Sequence, residues 1–178
     1  TTRSSSPEHI FLSMGGSDPL GQVPRVLPLL LKTSNRPIDA VIGSETVESL
    51  NLSRYESNEQ VTFYSDVSNM ADIMKDAHVA ITGAGTMLVE LAAMGVPTAS
   101  LVLTDNQQNI ANRFHQHEAT FVMGRFNSLS DEELAEAIDS FLTGQNELRQ
   151  YSEKAQALVD GRGKYRLTNE ITDWVNQS

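Results

Sequence analysis

Val79-Ala-Ile-Thr-Gly-Ala-Gly-Thr-Met-Leu-Val-Glu-Leu-Ala-Ala-Met-Gly-Val-Pro97 is the stretch that decides the fold of this 178-residue chain. The apolar run at its start predicts a buried strand, and the small residues that follow predict a turn. Apolar residues then recur at helical spacing from Met87 to Met94. Gly95 suits the C′ position of that helix, and Pro97 prevents its continuation. A glycine turn that leads into a helix presents free N–H groups, so the stretch predicts an anion site.

The rest of the chain repeats this alternation of short apolar strands and helices. The other predicted strands are His9–Met14, Ile38–Ile42, Val61–Tyr64, Thr98–Val102 and Ala119–Met123. The other predicted helices are Leu20–Lys32, Glu45–Leu50, Ser68–Ala77 with Ser68 as its cap, Asn106–His117, Asp131–Leu142 behind the capping box Ser130–Glu133, Glu147–Val159 and Tyr165–Val175. No hairpin dipeptide joins the strands. The pattern therefore predicts an α/β fold with a Rossmann-like, doubly wound parallel sheet of about six strands.

A second glycine turn, Gly15-Gly-Ser-Asp-Pro19, follows the first predicted strand. Both turns should lie at the carboxyl ends of the strands, where ligands bind in doubly wound folds. Spacing argues against two familiar phosphate sites. The sixth position of a dinucleotide fingerprint from Gly83 is Leu88 rather than glycine, and no Gly-Lys-Ser/Thr of a P-loop occurs. A purely structural turn remains the alternative to a phosphate site.

Glu90 lies seven residues beyond Gly83, in the second turn of the predicted helix. A carboxylate at that end of the helix can accept hydrogen bonds from both hydroxyls of a ribose. The alternative is a solvated surface glutamate. Together with the two glycine turns, Glu90 favours a phosphate ligand over a purely structural turn.

Composition and charge limit the classes of function. The formal net charge of −10 argues against nucleic acid, whose phosphates require a basic surface. The chain has no cysteine, which excludes disulfides and thiolate chemistry. No apolar run approaches the roughly 20 residues of a membrane span, and the start shows no signal segment. We expect a cytoplasmic protein, with residues 1–8 as a linker, residues 9–178 as one domain, and the chain as a piece of a longer one.

The order of motifs resembles the carboxyl-terminal half of GT-B sugar-nucleotide enzymes. The motifs are Ser13-Met-Gly-Gly-Ser-Asp18, Gly83-Ala-Gly-Thr86 with Glu90, Gly95-Val-Pro97 and Asp105-Asn-Gln-Gln108. The nearest resemblance is to the UDP-sugar hydrolase family of pseudaminic acid biosynthesis, which includes spore-coat polysaccharide proteins. Asp160-Gly-Arg-Gly163 with Arg166 is also similar to the terminal region of that hydrolase family. A more distant resemblance is to the UDP-N-acetylglucosamine transferases of peptidoglycan synthesis.

The resemblance implies a role for twelve residues of this chain. It places Gly15, Gly16 and Ser17 at the diphosphate, with Gly83, Ala84, Gly85 and Thr86 opposite them. Glu90 would hold the ribose, and the loop that contains Val67 and Met70 would take the uracil. Asn106 and Gln107 would reach the sugar, the alternative for this pair being a helix cap and a solvated side chain. The resemblance implies no metal and no cofactor, since the UDP-sugar is the substrate.

The group that activates water or an acceptor is missing from this pattern. GT-B enzymes have two halves, and the Gly-His element of the hydrolase family does not occur in this chain. The hypothesis is therefore the nucleotide-binding half of a UDP-sugar hydrolase acting on a 2,4-diacetamido-2,4,6-trideoxy-altrose donor, inactive without an amino-terminal half. The alternatives are the donor half of a glycosyltransferase and a non-catalytic domain fused to a sugar-activating cytidylyltransferase.

Overall fold

Six parallel strands form one sheet at the centre of the protein. The computed structural model of the chain describes residues 9–15, 22–43, 55 and 57–176. The strands are β1 (Ile10–Ser13), β2 (Ile38–Val41), β3 (Val61–Tyr64), β4 (Val79–Gly83), β5 (Thr98–Val102) and β6 (Phe121–Arg125). Their order across the sheet is β3-β2-β1-β4-β5-β6, and every neighbouring pair is parallel. The structure confirms the prediction of a doubly wound sheet, with the reversal of strand order between β1 and β4.

Helices cover both faces of this sheet. They are α1 (Gln22–Thr33), α2 (Met70–Asp76), α3 (Thr86–Ala93), α4 (Gln108–Gln116), α5 (Asp131–Thr143), α6 (Gln145–Leu158) and α7 (Gly163–Asn176). Apolar side chains of α1 and α5 pack with Leu12 and Ile81 on one face. Helices α2 and α3 pack with Phe11 and Ala80 on the other, because successive residues of a strand point to opposite faces. Both faces of the central strands are therefore buried, as a parallel sheet requires.

The stretch from Val79 to Pro97 has the predicted conformation. Helix α3 ends in a Schellman motif, in which the amide of Gly95 donates to Ala92 and that of Val96 donates to Leu91. Gly95 has a φ of +68°, a left-handed conformation that glycine adopts without a steric cost. The predicted C′ position of Gly95 is therefore correct. The capping box Ser130–Glu133 is also present, with both of its reciprocal hydrogen bonds.

Several predicted boundaries differ from those of the structure, including the following three. Asn69, not Ser68, is the N-cap of α2, and its side chain donates to the Asp72 carboxylate instead of capping the helix. The last strand begins at Phe121 rather than Ala119, because Ala119 still donates to Phe114 in the Schellman motif that ends α4. The predicted helix from Asn106 divides into a 3₁₀ turn, Asp105–Gln107, followed by α4.

Pro28 does not interrupt α1, although a proline inside a helix removes one hydrogen bond. The helix runs from Gln22 to Thr33, and Pro24 lies in its first turn, where no intrahelical donor is needed. Val26, Leu27 and Leu30 are fully buried against the sheet. Burial of this apolar face outweighs the unfavourable intrinsic propensity of proline.

Helix α7 presents large apolar side chains to solvent. Their exposed fractions lie between 54% for Ile171 and 71% for Trp174, and the others are Tyr165, Leu167 and Val175. An ion pair closes the turn before the helix, with Arg166 Nη1 donating to Asp160 Oδ2 at 2.6 Å. The Arg166 side chain and the backbone N–H of Arg162 together lower the pKa of Asp160 to about 2. The segment from Asp160 to Arg166, which resembles the terminal region of the hydrolase family, is thus held by hydrogen bonds in the structure.

Among the described residues, no helix is long and apolar enough to cross a membrane. The predicted linker at residues 1–8 and the predicted helix Glu45–Leu50 lie outside the described residues, as do Gly16 and Ser17.

Candidate functional site

The predicted site residues that the structure describes lie near one edge of the sheet, where the strands end. We call it the carboxyl edge. Gly15 follows β1, the turn from Gly83 to Gly85 follows β4, and the 3₁₀ turn Asp105–Gln107 follows β5. These three strands are adjacent in the order β1-β4-β5. The fold therefore brings the loops together at the reversal of strand order, which is where doubly wound folds bind their ligands.

The amides of the glycine turn are not all available to a ligand. Ala84 donates to the Leu101 carbonyl and Gly85 donates to the Gly83 carbonyl, both at 2.8 Å. These two amides are therefore unavailable to a phosphate, and the amides of the next residues of the chain are the candidate donors. Thr86, Met87 and Leu88 form the first turn of α3, whose amides lack intrahelical acceptors. Gly85 is the N-cap and makes no side-chain cap bond, so the helix dipole faces the edge without a competing carboxylate.

A cavity of about 180 Å³ opens beside this turn. Three of the predicted residues, Gly15, Val67 and Met70, line it together with Met87 from the first turn of α3. The remaining lining residues are Ser13, Val41, Ile42, Gly43 and Asp66. The loop that contains Val67 and Met70 was predicted to bind the uracil, and we call it the uracil loop. It lines the same cavity as Gly15, which was predicted to lie at the diphosphate.

The backbone of the uracil loop is unusual at Asp66, which has a φ of +51°. Only a few per cent of non-glycine residues adopt a positive φ, and aspartate is among those that tolerate it best. This conformation turns the chain sharply between β3 and Val67, at the wall of the cavity. Strained positions of this kind often lie at ligand sites.

The chemistry of the cavity wall suits one part of a nucleotide rather than a free anion. Among the described residues that line it, none is basic, and Val41, Val67, Met70 and Met87 supply apolar surface. Sites for small molecules have volumes of roughly 300–1,000 Å³. A cavity of about 180 Å³ can hold a base or a ribose, while the rest of the ligand must extend over the edge.

Gln107 extends the site toward β5. Its Oε1 accepts a hydrogen bond of 3.0 Å from the Leu103 amide, so its Nε2 is the free donor end. That Nε2 lies 3.5 Å from the position that a side chain would take at Gly85. The absence of a side chain at Gly85 leaves this donor next to the turn. Asn106 is exposed, and its Oδ1 accepts from Thr104 Oγ1 at 2.5 Å.

The 3₁₀ turn is further fixed by Arg125, the last residue of β6. Its Nη1 donates to Asp105 Oδ1 at 2.7 Å, and its Nη2 approaches Gln108 Oε1 at 3.4 Å. Gln108 also donates to Asn112 within α4. Gln108 is thus a structural residue of this turn.

Glu90 lies on the exposed side of α3, in its second turn. None of the described residues donates a hydrogen bond to its carboxylate, which leaves both oxygens available. Val89, next to it, is half-buried against the side chains of α4. The carboxylate is therefore carried by an ordered helix beside the cavity.

The histidines do not join this site. His9 precedes β1, at the opposite edge of the sheet, and its Nδ1 lies 2.9 Å from Asp39 Oδ2. His115 and His117 are exposed near the end of α4. The described residues contain no group of three or more His, Asp or Glu side chains placed to hold a metal ion.

A larger cavity, of about 680 Å³, lies at the amino edge of the sheet. Phe121, Phe141 and Tyr151 form an aromatic cluster beside it, with ring centroids 5.8–6.5 Å apart. Burial, with lesser contributions from the charges of Glu147 and Glu118, raises the pKa of Tyr151. None of the predicted site residues lines this cavity. Size alone therefore does not identify the site.

Sequence reasoning missed several residues of the smaller cavity, among them Met87 and Ser13. Met87 was assigned only to the apolar side of a helix, and Ser13 only to a motif. Both positions could have been found from their place in the chain, because the last residue of a strand and the first turn of a helix flank ligands in this class of fold.

The strand order and the helices on both faces define a Rossmann-like half of the GT-B type. The strand order, the glycine turn before α3 and the cavity beside it are the features of that class. The chain belongs to the family of glycosyltransferase family 28 C-terminal domains, which matches residues 13–170.

Two curated proteins of Bacillus subtilis are similar over most of the chain. The spore coat polysaccharide biosynthesis protein SpsG is 26% identical over 95% of this chain and 51% of its own length. The UDP-N-acetylglucosamine–N-acetylmuramyl-(pentapeptide) pyrophosphoryl-undecaprenol N-acetylglucosamine transferase is 26% identical over 84% of this chain and 43% of its length. An uncharacterized protein of Methanocaldococcus jannaschii is 30% identical over 60% of the chain and 23% of its length. The chain thus spans about half or less of these relatives.

Solved structures support the fold. WaaG, a glycosyltransferase involved in lipopolysaccharide biosynthesis, superposes with a TM-score of 0.70 at 19% identity, over 98% of this chain and 48% of that one. The Staphylococcus aureus MnaA–UDP structure gives a TM-score of 0.72 at 14% identity, over 95% of this chain and 46% of that one. At these identities the likeness concerns the fold alone.

Proposed function

We propose that this chain is the donor-binding half of a GT-B glycosyltransferase that uses a UDP-sugar. The observation that carries the proposal is the shared cavity, where Gly15, Val67 and Met70 meet the first turn of α3. Membership in the glycosyltransferase family 28 C-terminal domains supports a transferase rather than a hydrolase.

The arrangement of the edge suggests a pose for the ligand. The base would lie between Val67, Met70 and Met87, where apolar surface is available. The diphosphate would lie at the first turn of α3, and the ribose would lie along the helix toward Glu90. The sugar would then reach Gln107 and Asn106, whose amide nitrogens are donors.

Backbone groups would provide most of the binding of the diphosphate. The chain has a net charge of −10, and none of the described residues that line the cavity is basic. The first turn of a helix offers several N–H groups and the positive end of the dipole, which together bind phosphate without a lysine. In a transferase the same groups would stabilise the departing diphosphate.

The UDP-sugar hydrolase remains a second proposal. Similarity to SpsG extends over 95% of this chain, and the Ser13–Asp18 and Asp160–Arg166 motifs resemble that family. Donor binding would be the same, and only the acceptor, a water molecule, would differ. In both proposals an amino-terminal half supplies the group that activates the acceptor or the water molecule. A non-catalytic domain fused to a cytidylyltransferase would keep the pocket without the reaction.

Calorimetric titration of the chain with UDP tests the proposal. We expect binding with a Kd below about 1 mM, weaker binding of CDP, and no release of sugar from a UDP-sugar by the chain alone. Absence of binding at millimolar UDP, or equal affinity for CDP, would contradict a uridine nucleotide site. Release of free sugar by a full-length enzyme without an acceptor would favour the hydrolase over the transferase.

A further inference from the structure

Two buried hydroxyls at the end of the central strands have no hydrogen-bond partner among the described residues. They are Ser13 Oγ on β1 and Thr82 Oγ1 on β4. The exposed fractions of the two residues are 1% and 0%. Ser13 and Thr82 are also in register on neighbouring parallel strands, so both side chains point to the same face of the sheet. We call them the Ser13–Thr82 pair.

Neighbouring hydroxyls on the same face are satisfied. Thr82 is in register with Ser100 on β5. Thr120 Oγ1 donates to the Thr98 carbonyl at 2.6 Å and lies 3.3 Å from Ser100 Oγ. A buried hydroxyl without a partner loses its hydrogen bonds to water, and such groups are rare in native proteins. The difference between Ser100 and the pair therefore requires a physical reason.

The location of Ser13 supplies that reason. Ser13 lines the 180 Å³ cavity together with Gly15 and Met87, beside the first turn of α3. Thr82 immediately precedes the glycine turn at Gly83. The unpartnered hydroxyls thus lie on the strand ends that lead to Gly15 and to Gly83. A ligand in the cavity would supply the missing acceptor.

We propose that the Ser13 hydroxyl donates a hydrogen bond to a phosphate oxygen of the bound nucleotide, and that Thr82 positions it. This inference rests on the proposed nucleotide site and adds to it a side chain that binds the phosphate directly. Residues in register on adjacent strands are separated by about 4.8 Å, so a rotation about χ1 can bring Thr82 Oγ1 to Ser13 Oγ. Thr82 then donates to Ser13, and Ser13 donates to the phosphate.

A phosphate oxygen fits this position better than the base or the ribose. The base side of the cavity is formed by Val67 and Met70, whereas Ser13 lies at the end of β1 next to Gly15. A hydrogen bond to a charged acceptor is about twice as strong as one between neutral groups, which offsets the cost of a buried, unpartnered hydroxyl in the free protein.

Opposite effects on stability and affinity distinguish this role from a structural one. In Ser13→Ala the unpartnered hydroxyl is removed, so we expect the melting temperature to rise by about 2 °C. The affinity for UDP should fall about tenfold, while the affinity for uridine, which lacks phosphate, should stay unchanged. Ser100→Ala is the matched control, because it removes a buried serine that has a partner. It should lower the melting temperature and leave the affinity for UDP unchanged.

The role of Thr82 is tested in the natural chain and in the Ser13→Ala variant. Thr82→Val should weaken UDP binding about threefold in the natural chain and have no effect in Ser13→Ala, because Thr82 acts through Ser13. Thr82→Ser, which keeps the hydroxyl, should restore the affinity.

Three results would overturn the inference. The first is a Ser13→Ala variant that binds UDP as tightly as the natural chain. A buried water molecule, rather than the ligand, would then be the hydrogen-bond partner of the hydroxyls. The second is an equal loss of affinity for UDP and uridine. The third is a natural chain that binds neither, which would also overturn the proposed function. Binding of UDP by the natural chain with no effect of Ser13→Ala would contradict the inference alone.

Discussion

Replacement of Glu90 by glutamine is expected to lower the affinity for UDP by about 10- to 100-fold. The carboxylate lies exposed on α3, and none of the described residues donates a hydrogen bond to it. Two ribose hydroxyls would supply two charge-assisted hydrogen bonds, and each is worth roughly 1.5–3 kcal/mol. Glutamine keeps the shape of the side chain and removes the charge and one acceptor. Calorimetry with both proteins measures the difference.

A modified ligand makes this test specific for the ribose. With 2′,3′-dideoxy-UDP the natural chain and Glu90→Gln should bind with equal affinity, because the hydroxyls that Glu90 accepts are missing. Glu136→Gln, on the exposed surface of α5, is the matched control and should bind UDP like the natural chain. A loss of affinity for dideoxy-UDP equal to that for UDP would show that Glu90 acts on the fold of α3 rather than on the ribose.

Phe11→Ala is expected to lower the free energy of unfolding by about 3–5 kcal/mol, the usual cost of truncating a buried phenylalanine. Phe11 lies on β1 in the centre of the sheet, has no exposed surface, and packs with Leu91 of α3. The loss is a large part of the 5–15 kcal/mol that stabilises an ordinary domain. Urea unfolding measures it, and a loss under about 1 kcal/mol would contradict the described packing.

Trp174→Ala provides the control on an exposed aromatic residue. Trp174 is 71% exposed on α7, so its truncation should change the free energy of unfolding by no more than about 0.5 kcal/mol. A cost comparable with that of Phe11→Ala would show that α7 is packed against the domain in solution.

Periodicity and turn residues were sufficient to predict the fold. Each of the six strands was predicted from an apolar run, and the helix after β4 from the spacing between Met87 and Met94. The capping box at Ser130 was correct because its two hydrogen bonds depend only on residues three positions apart. The parallel order followed from the absence of hairpin turns.

Errors occurred where local propensity competes with neighbouring hydrogen bonds. Residues 119 and 120 have the composition of a strand, yet the end of α4 uses the Ala119 amide, and Glu118 adopts a φ of +50° to allow it. Pro28 lies inside α1, where burial of the apolar face outweighs the hydrogen bond that a proline removes. Neither outcome can be predicted from the spacing of residues in the sequence.

Sequence reasoning named residues for a candidate site, but it could not predict their hydrogen bonds. Gly15, Val67 and Met70 were expected near one ligand, and the structure places them in one cavity. Which amides of the turn are free could not be predicted, because the acceptor of Ala84 is Leu101, on the neighbouring strand. The unpartnered state of Ser13 likewise depends on the register between β1 and β4. The free amides of the turn and the unpartnered Ser13 hydroxyl thus both depend on strand pairing between parts of the chain that are distant in sequence.

The central claim is that the nucleotide binds at the carboxyl edge, between the uracil loop and the first turn of α3. Amide-resolved NMR titration with UDP tests it most directly. We expect the largest shift changes at Thr86, Met87, Leu88 and Val67, and unchanged resonances for Gly144 and Asn146 at the larger cavity of the amino edge. Shift changes concentrated at Gly144 and Asn146, with none in the first turn of α3, would contradict the account.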